Sequence, residues 1–417
     1  MVPDETQAAQ PAAPGVLTAA WVAPVVTPPL RGGGVRVADG RITAVGPAAE
    51  IVQPGDRVTN LGAAVLTPGL VNPHTHLELT DYAGRIPPGP LWDWLVRLVA
   101  LRRTPDQAQR EAAAVARGAA QSLAAGVTCV GDISRLNLHW RVLRRSPLRK
   151  VCFVELLTLA DDPPRTVDEL RAAADEVRED DRLTVGFAPH APYSVPADQL
   201  RAALRLAHER GRPWCVHWAE TRAERAFLLG DTAAVPPFLR DLLARRGLRS
   251  PGLSAIELLE RCAADVRPGL LAHFNYAEAG DAERLAAAGH TVVYCPRAHR
   301  YFGHPPHPFR ALARAGVRVA LATDSAASNQ DLRLLAEAQF VLTQTPEPPP
   351  PATLLRMITL DAAHALGLDA TIGSLEPGKW ADLAAFPCHP DSPDPVADLL
   401  RTAPLPLGVW IAGVRAA

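Results

Sequence analysis

In the stretch Val65-Leu-Thr-Pro-Gly-Leu-Val-Asn-Pro-His-Thr-His-Leu-Glu78, an apolar run ends in a turn and then presents His74 and His76. Side chains alternate along an extended segment, so histidines at i and i+2 point the same way and make a bidentate metal clamp. The bland reading is two incidental polar residues in a loop, and further ligands must decide between the two. Of 13 histidines, His74, His76, His190, His217 and His273 stand at the carboxyl ends of strand-like runs, and Asp324 ends another run in the same way. Three histidines and a carboxylate around an open position form the ligand set of a hydrolytic metal site, in which Zn2+ lowers the pKa of water to about 7.

Glu220 follows His217 by three residues in His217-Trp-Ala-Glu220, close enough to reach back as a general base that takes a proton from water and later returns it to a leaving group. Its alternative is a surface glutamate favoured by the dipole at the start of a helix. His273 could be a fourth ligand, a group polarising water or substrate, or a core histidine bonded to backbone. Asp324, in Ala322-Thr-Asp-Ser325, could be a ligand, a base, both in turn, or a helix cap. A two-metal site bridged by a carboxylated lysine needs Lys at a strand end. The only lysines are Lys150, at the start of a strand, and Lys379, in the tail, so one metal is expected.

The elements that must position these groups alternate. Strand-like runs from 64, 127–133, 150–157, 184–189, 213–218, 270–274, 291–295 and 317–323 number eight. Between them lie helical stretches at 105–125, 167–179, 197–210, 279–288 and 308–315, with an insertion at 220–268 holding at least two more. Eight such units are the count of a (β/α)8 barrel of the TIM type, whose chemistry lies at the carboxyl ends of its strands. The barrel is expected over residues 66–371. Residues 16–65 break into short β runs with an Asp-Gly hairpin signal at 37–41, and the tail from 372 returns to β. Residues 1–65 and 372–417 are therefore expected to form one composite β-sandwich lobe, with the Pro, Ala and Gln-rich residues 1–14 disordered. A prolyl run at 346–351 reads as a spacer before a helix at 353–366.

Composition sets bounds. The 417 residues are 48% hydrophobic and 21% charged with a net charge of -1, enough for a large core. No basic face for nucleic acid, no membrane span and no signal peptide is legible. Six cysteines without a CxxC pair read as reduced thiols, which points to the cytoplasm. The zinc-deaminase pattern H-x-E followed by P-C-x-x-C fails, since Cys295-Pro supplies no second cysteine.

Pro68-Gly-Leu-Val-Asn-Pro-His-Thr-His76, Pro189-His-Ala-Pro-Tyr-Ser194, His217-Trp-Ala-Glu220, His273, Thr323-Asp-Ser325 and Gly373-Ser-Leu-Glu-Pro-Gly-Lys-Trp-Ala-Asp382 together resemble the amidohydrolase superfamily. The likeness is nearest its mononuclear deaminase and chlorohydrolase branch, which holds cytosine, guanine, adenosylhomocysteine and aminodeoxyfutalosine deaminases and the triazine hydrolases. It implies a barrel with a composite lobe, one zinc or iron held by His74, His76, His217 and Asp324, a proton shuttle at Glu220, and His273 orienting water or polarising the ring. Homodimers are a further expectation. Leu77-Glu-Leu-Thr-Asp-Tyr82, Gly89-Pro-Leu-Trp-Asp-Trp-Leu95 and Cys295-Pro-Arg-Ala-His-Arg-Tyr-Phe-Gly-His304 look like the aminodeoxyfutalosine group, which acts on an adenine nucleoside. Glu78, two residues past the clamp, is then expected to grip ribose or a ring nitrogen, with His190 as another substrate contact. His299, His304 and His307 lie on a loop where specificity is often set, and His299 is the third residue expected to touch substrate. Hydrolysis of a cyclic amide or halogenated ring on the same site, and a metal-binding relative without turnover, are the rival readings.

Overall fold

The computed structural model describes residues 15–159 and 164–417, so the stretch 1–14 expected to be disordered lies outside the described residues. Eight parallel strands form the barrel: β1 Leu70–Thr75, β2 Val127–Ser134, β3 Arg149–Leu156, β4 Leu183–Pro189, β5 Cys215–Trp218, β6 Leu270–His273, β7 Thr291–Tyr294 and β8 Arg318–Leu321. They make two four-stranded sheets in sequential order, β1 to β4 and β5 to β8. Single parallel bridges, Phe187 with Trp214 and Thr75 with Asp324, close the two seams. The second bridge is Asp324 N donating to His74 O at 3.2 Å, so closure itself brings two candidate site residues together.

Alternation sorts the strand residues. Val71, Cys129, Val151, Phe153, Cys215, Leu270, Ala272, Val293 and Ala320 are buried in one cluster, the barrel interior. Val130, Cys152, Val154, Val216, Leu271, Val292, Val319 and Leu321 are buried in another, against the helices. Apolar interior residues give way at the carboxyl ends to histidines and carboxylates. Two helices start at reciprocal capping boxes, Thr166 with Glu169 at Val167–Glu176 and Ser254 with Glu257 at Ala255–Ala263. The insertion after β5 contains three helices, Arg222–Leu229, Pro237–Arg245 and Ala255–Ala263.

The lobe has a four-stranded sheet from the N-terminal part and a six-stranded sheet that joins Leu383–Pro387, Gly408–Ile411 and Val414–Arg415 to N-terminal strands. Leu17, Val35, Ile42, Leu66, Leu383 and Trp410 pack together as its core. The Asp-Gly hairpin is present, with Asp39 at φ +50 and Gly40 at φ +74.

Helices at Leu91–Arg102, Leu334–Gln344 and, within the tail expected to be β, Pro395–Thr402 were not anticipated, and two elements that were anticipated are divided differently. The run counted as one strand from 64 is two: Ala64–Pro68 pairs along its whole length with Leu383–Pro387 in the lobe, and β1 begins after Gly69. The lobe sheet thus runs past residue 65, to Pro68. A Cβ at Gly69 would lie 2.1 Å from Thr128 Oγ1, so only glycine lets the chain cross from lobe to barrel so close to β2. The helix expected at 353–366 is also two, Pro351–Met357 and Leu360–Ala365. Thr359 Oγ1 bonds back to Leu355 O at 2.6 Å, and Ile358 O is taken by Val71 N of β1 at 2.9 Å, which ends the first helix there.

Candidate functional site

His74 lies in β1, His76 directly after it, and His217 in β5. One ring nitrogen from each falls within 4.8 Å of the others. His76 Nε2 and His217 Nε2 are 3.3 Å apart, and Asp324 Oδ1 stands 3.8 Å from both His74 Nε2 and His76 Nε2. His74 Nε2 is buried with no hydrogen-bond partner, a cost that an interior nitrogen bears unless something else binds it. Burial, then the neighbouring histidines, hold the His74 imidazole well below its ordinary pKa; burial brings His217 down to about 4. The rings are therefore kept neutral, the form that ligates a metal. Four nitrogen and oxygen donors of this kind suit one divalent ion of the zinc type.

Two of the donors are aimed by neighbours. His217 Nδ1 is 2.9 Å from His190 O, which leaves Nε2 facing the cluster. Asp324 is left-handed at φ +56, with Oδ2 accepting from Ser328 Oγ at 3.0 Å. Asn72, two residues before His74, bonds Thr323 through both ends of its amide, at 2.8 and 3.2 Å, and so locks β1 to the residue before Asp324. Lys150 Nζ bonds Ser146 O at 3.0 Å, at the amino end of β3 and the opposite end of the barrel.

Glu220 and His273 form a second pair, with Oε1 to Nε2 at 3.5 Å, and both are buried. Burial first, then the carboxyls of Asp324 and Glu224, push the Glu220 pKa well up, so it can hold a proton that a solvated carboxylate would lose. Burial likewise raises Asp324, to about 7. Glu224 sets the turn that carries Glu220: its carboxylate accepts from Ala219 N at 2.9 Å and Glu220 N at 2.8 Å, while Ala219 is left-handed at φ +50. Sequence reasoning passed over Glu224, although Thr221-x-x-Glu224 is a visible capping signal.

The three residues expected to touch substrate are placed differently from one another. His190 lies beside the cluster, its ring 4.8 Å from that of His217, with Nδ1 held by Ser194 Oγ at 2.7 Å. Glu78 is 2% exposed, and both its oxygens are engaged, Oε1 by Arg102 Nη2 at 2.7 Å and Arg135 N at 3.3 Å, Oε2 by Ser134 Oγ at 2.6 Å. His299 is buried with Nδ1 3.0 Å from Asn275 Oδ1 and Nε2 2.8 Å from Pro305 O. Arg102, the buried partner of Glu78, ends the helix Leu91–Arg102 and was not foreseen; a lone charge at a helix end carries no such signal. A groove of about 690 Å³ runs alongside, bounded by Arg222, Tyr276 and Pro305 and sharing Asn275 with the site.

The sequence model of the Amidohydrolase family matches residues 65–414. A 5-methylthioadenosine/S-adenosylhomocysteine deaminase of Nitratidesulfovibrio vulgaris is 29% identical over 378 residues, 87% of this chain and 81% of that protein. The crystal structure of a Xanthomonas campestris adenosine deaminase with bound zinc superposes with a TM-score of 0.81 at 27% identity, covering 96% of this chain and 92% of that one. Helicobacter pylori aminofutalosine deaminase, in complex with methylthio-coformycin, gives a TM-score of 0.83 at 23% identity over 97% and 100%, a likeness of fold.

Proposed function

The chain belongs to the amidohydrolase family, and from that premise we propose that it is a metal-dependent hydrolase that removes ammonia from the 6-amino position of an adenosine derivative altered at its 5′ end. The observation that carries this reading is the convergence of His74, His76 and His217 within 4.8 Å, beside Asp324, with the Glu220–His273 pair next to them. A binding site has no use for that second pair; a hydrolase needs it.

His74, His76, His217 and Asp324 would hold one divalent ion, zinc or iron, both of which imidazole donors suit, and three histidines and a carboxylate that leave a position open match zinc in a hydrolytic site. Bound there, it supplies Lewis acidity that makes a water nucleophilic near neutral pH. The chain's own groups do the rest. Glu220 takes a proton from the water and delivers it to the ring nitrogen beside the amine-bearing carbon. As the water oxygen bonds to that carbon, His273 meets the charge that develops. Asp324 accepts the remaining hydroxyl proton and passes it to the amino group, and the C–N bond breaks to release ammonia and leave a carbonyl. His190 is assigned to the substrate, with one ring nitrogen fixed by Ser194. Glu78 and His299 are assigned to the scaffold, since the Glu78 oxygens are bonded within the chain and both His299 ring nitrogens face backbone or amide oxygens of the chain.

The similarity to a methylthioadenosine and adenosylhomocysteine deaminase supports a 5′-modified adenosine, with aminodeoxyfutalosine one member of that class. We place the enzyme in the cytoplasm, in keeping with six unpaired cysteines, five of them buried, and expect a homodimer. Among the described residues no helix is long and apolar enough to cross a membrane. Ammonia release from 5′-methylthioadenosine, S-adenosylhomocysteine, 5′-deoxyadenosine, aminodeoxyfutalosine, adenosine, cytosine and guanine tests the reading. Turnover of a 5′-modified adenosine above the others is expected. Chloride release from a chlorotriazine or ring opening of a cyclic amide, with no ammonia from any amine, would replace it.

A further inference from the structure

We propose that the segment after β7, residues 296–309, is a positioning brace for the proton-transfer groups, with His307 as the positioning residue of His273; this rests on the roles given to His273, Glu220 and Asp324 above. Three hydrogen-bond chains leave this segment, and each ends on a backbone carbonyl at or next to one of those groups.

The first chain is His307. Its Nδ1 accepts from Phe309 N at 2.9 Å, so the neutral ring carries its proton on Nε2, which donates to His273 O at 2.6 Å. The ring is half-buried and stacked on Tyr294 at 4.0 Å between centroids. The second chain runs from His299 Nδ1 to Asn275 Oδ1, then from Asn275 Nδ2 to Glu220 O at 3.0 Å. The third starts at Arg297, whose N and Nε bond the two oxygens of Glu337 at 2.9 and 2.7 Å. Glu337 Oε1 accepts from Asn329 Nδ2 at 2.7 Å, and Asn329 Nδ2 also donates to Thr323 O at 2.9 Å.

Each endpoint is a left-handed residue or sits next to one: His273 is left-handed itself, Ala219 precedes Glu220, and Asp324 follows Thr323. His273 and Phe274 are left-handed at φ +74 and +50, Ala219 at +50 and Asp324 at +56, and none is glycine. Non-glycine residues hold such a conformation only where their surroundings determine it. Each strand leaves the sheet ladder at this point, and the brace satisfies the carbonyl set free there. None of the bonded atoms of His307, His299 or Arg297 belongs to the histidine cluster, so the segment acts on the chemistry through what it holds.

The test is His307→Phe, which keeps the stack on Tyr294 and removes the donor, beside His307→Gln, which keeps a donor. His307→Phe is expected to lower kcat by about a hundredfold with KM within about twofold. Metal content should stay at one ion per chain, and His307→Gln should recover about tenfold of the loss. A crystal structure of His307→Phe should show His273 outside the left-handed region. Because that readout needs no substrate, it decides the positioning claim even if the wild-type chain releases no ammonia. Wild-type kcat with His273 still left-handed would overturn the proposal. So would joint loss of kcat, KM, metal and melting temperature with no recovery in His307→Gln, the mark of a merely structural role. If His307→Phe does not fold, His299→Phe with its Gln counterpart must give the same pattern, read at the left-handed Ala219 that precedes Glu220.

Discussion

At the scale of the residue, Glu220 carries the proton account, because burial lets it hold and release a proton beside His273. Glu220→Gln should keep the metal and lose roughly 10²–10⁴-fold in kcat, as expected for removal of a general acid–base group; full activity would refute its role. Glu78 is more firmly bound to the protein than its place two residues past His76 suggests. Glu78→Ala leaves Arg102 with Glu111 alone, so it should destabilise by about 2 kcal/mol, less than for a buried pair broken outright. The melting temperature should fall; an unchanged one with a raised KM would restore Glu78 to the substrate. Glu155 gives a pH signature. Burial, with Glu78 adding to it, raises its pKa to about 8 against the pull of Arg102, Arg135 and Arg165. Between the ordinary glutamate value and about 8 the folded chain keeps a proton that the unfolded chain loses, so stability falls as pH rises through that window. Glu155→Gln should therefore raise the melting temperature more at about pH 8 than at about pH 5, and a gap that shrinks with rising pH would contradict this. The convergence of His74, His76 and His217 was legible because all three stand at strand ends, and strand ends can be read from apolar runs. Arg102 and Asn275 were not, because their partners Glu78 and Glu220 come from segments whose approach depends on the closed barrel, whereas Glu224 is bonded within its own turn and carried a capping signal.

At the scale of the element, the strands and helices were legible because each keeps its own period and stops at glycine, proline or a capping residue. The misreadings occur where tertiary contact overrides that signal. Gly69 reads as part of an apolar run, yet it is the crossing from lobe to barrel, set by Thr128 rather than by any local turn. Gly69→Ala should cost about 1–3 kcal/mol through the forced shift of β1 against β2, read by thermal unfolding; an unaltered midpoint would show that the crossing has slack. Thr359 likewise reads as helix, and it ends one because Ile358 O belongs to β1. The loop after β7 was legible only as unusual. Its three histidines suggested a surface that meets substrate, whereas His299 and His307 face inward to the strand ends.

At the scale of the whole molecule, closing two four-stranded sheets at Phe187–Trp214 and Thr75–Asp324 turns separate strand-end residues into one site. The barrel type could be counted from the sequence; the seams could not, since each is a single bridge. The measurement that tests the central claim most directly is ammonia release from 5′-modified adenosines by the loaded chain, after chelation, and after return of zinc. Product should form at one ion per chain, cease on chelation as the melting temperature drops, and resume with zinc. Ammonia release that persists in the metal-free chain, or none from any adenosine derivative in the loaded one, would contradict the account.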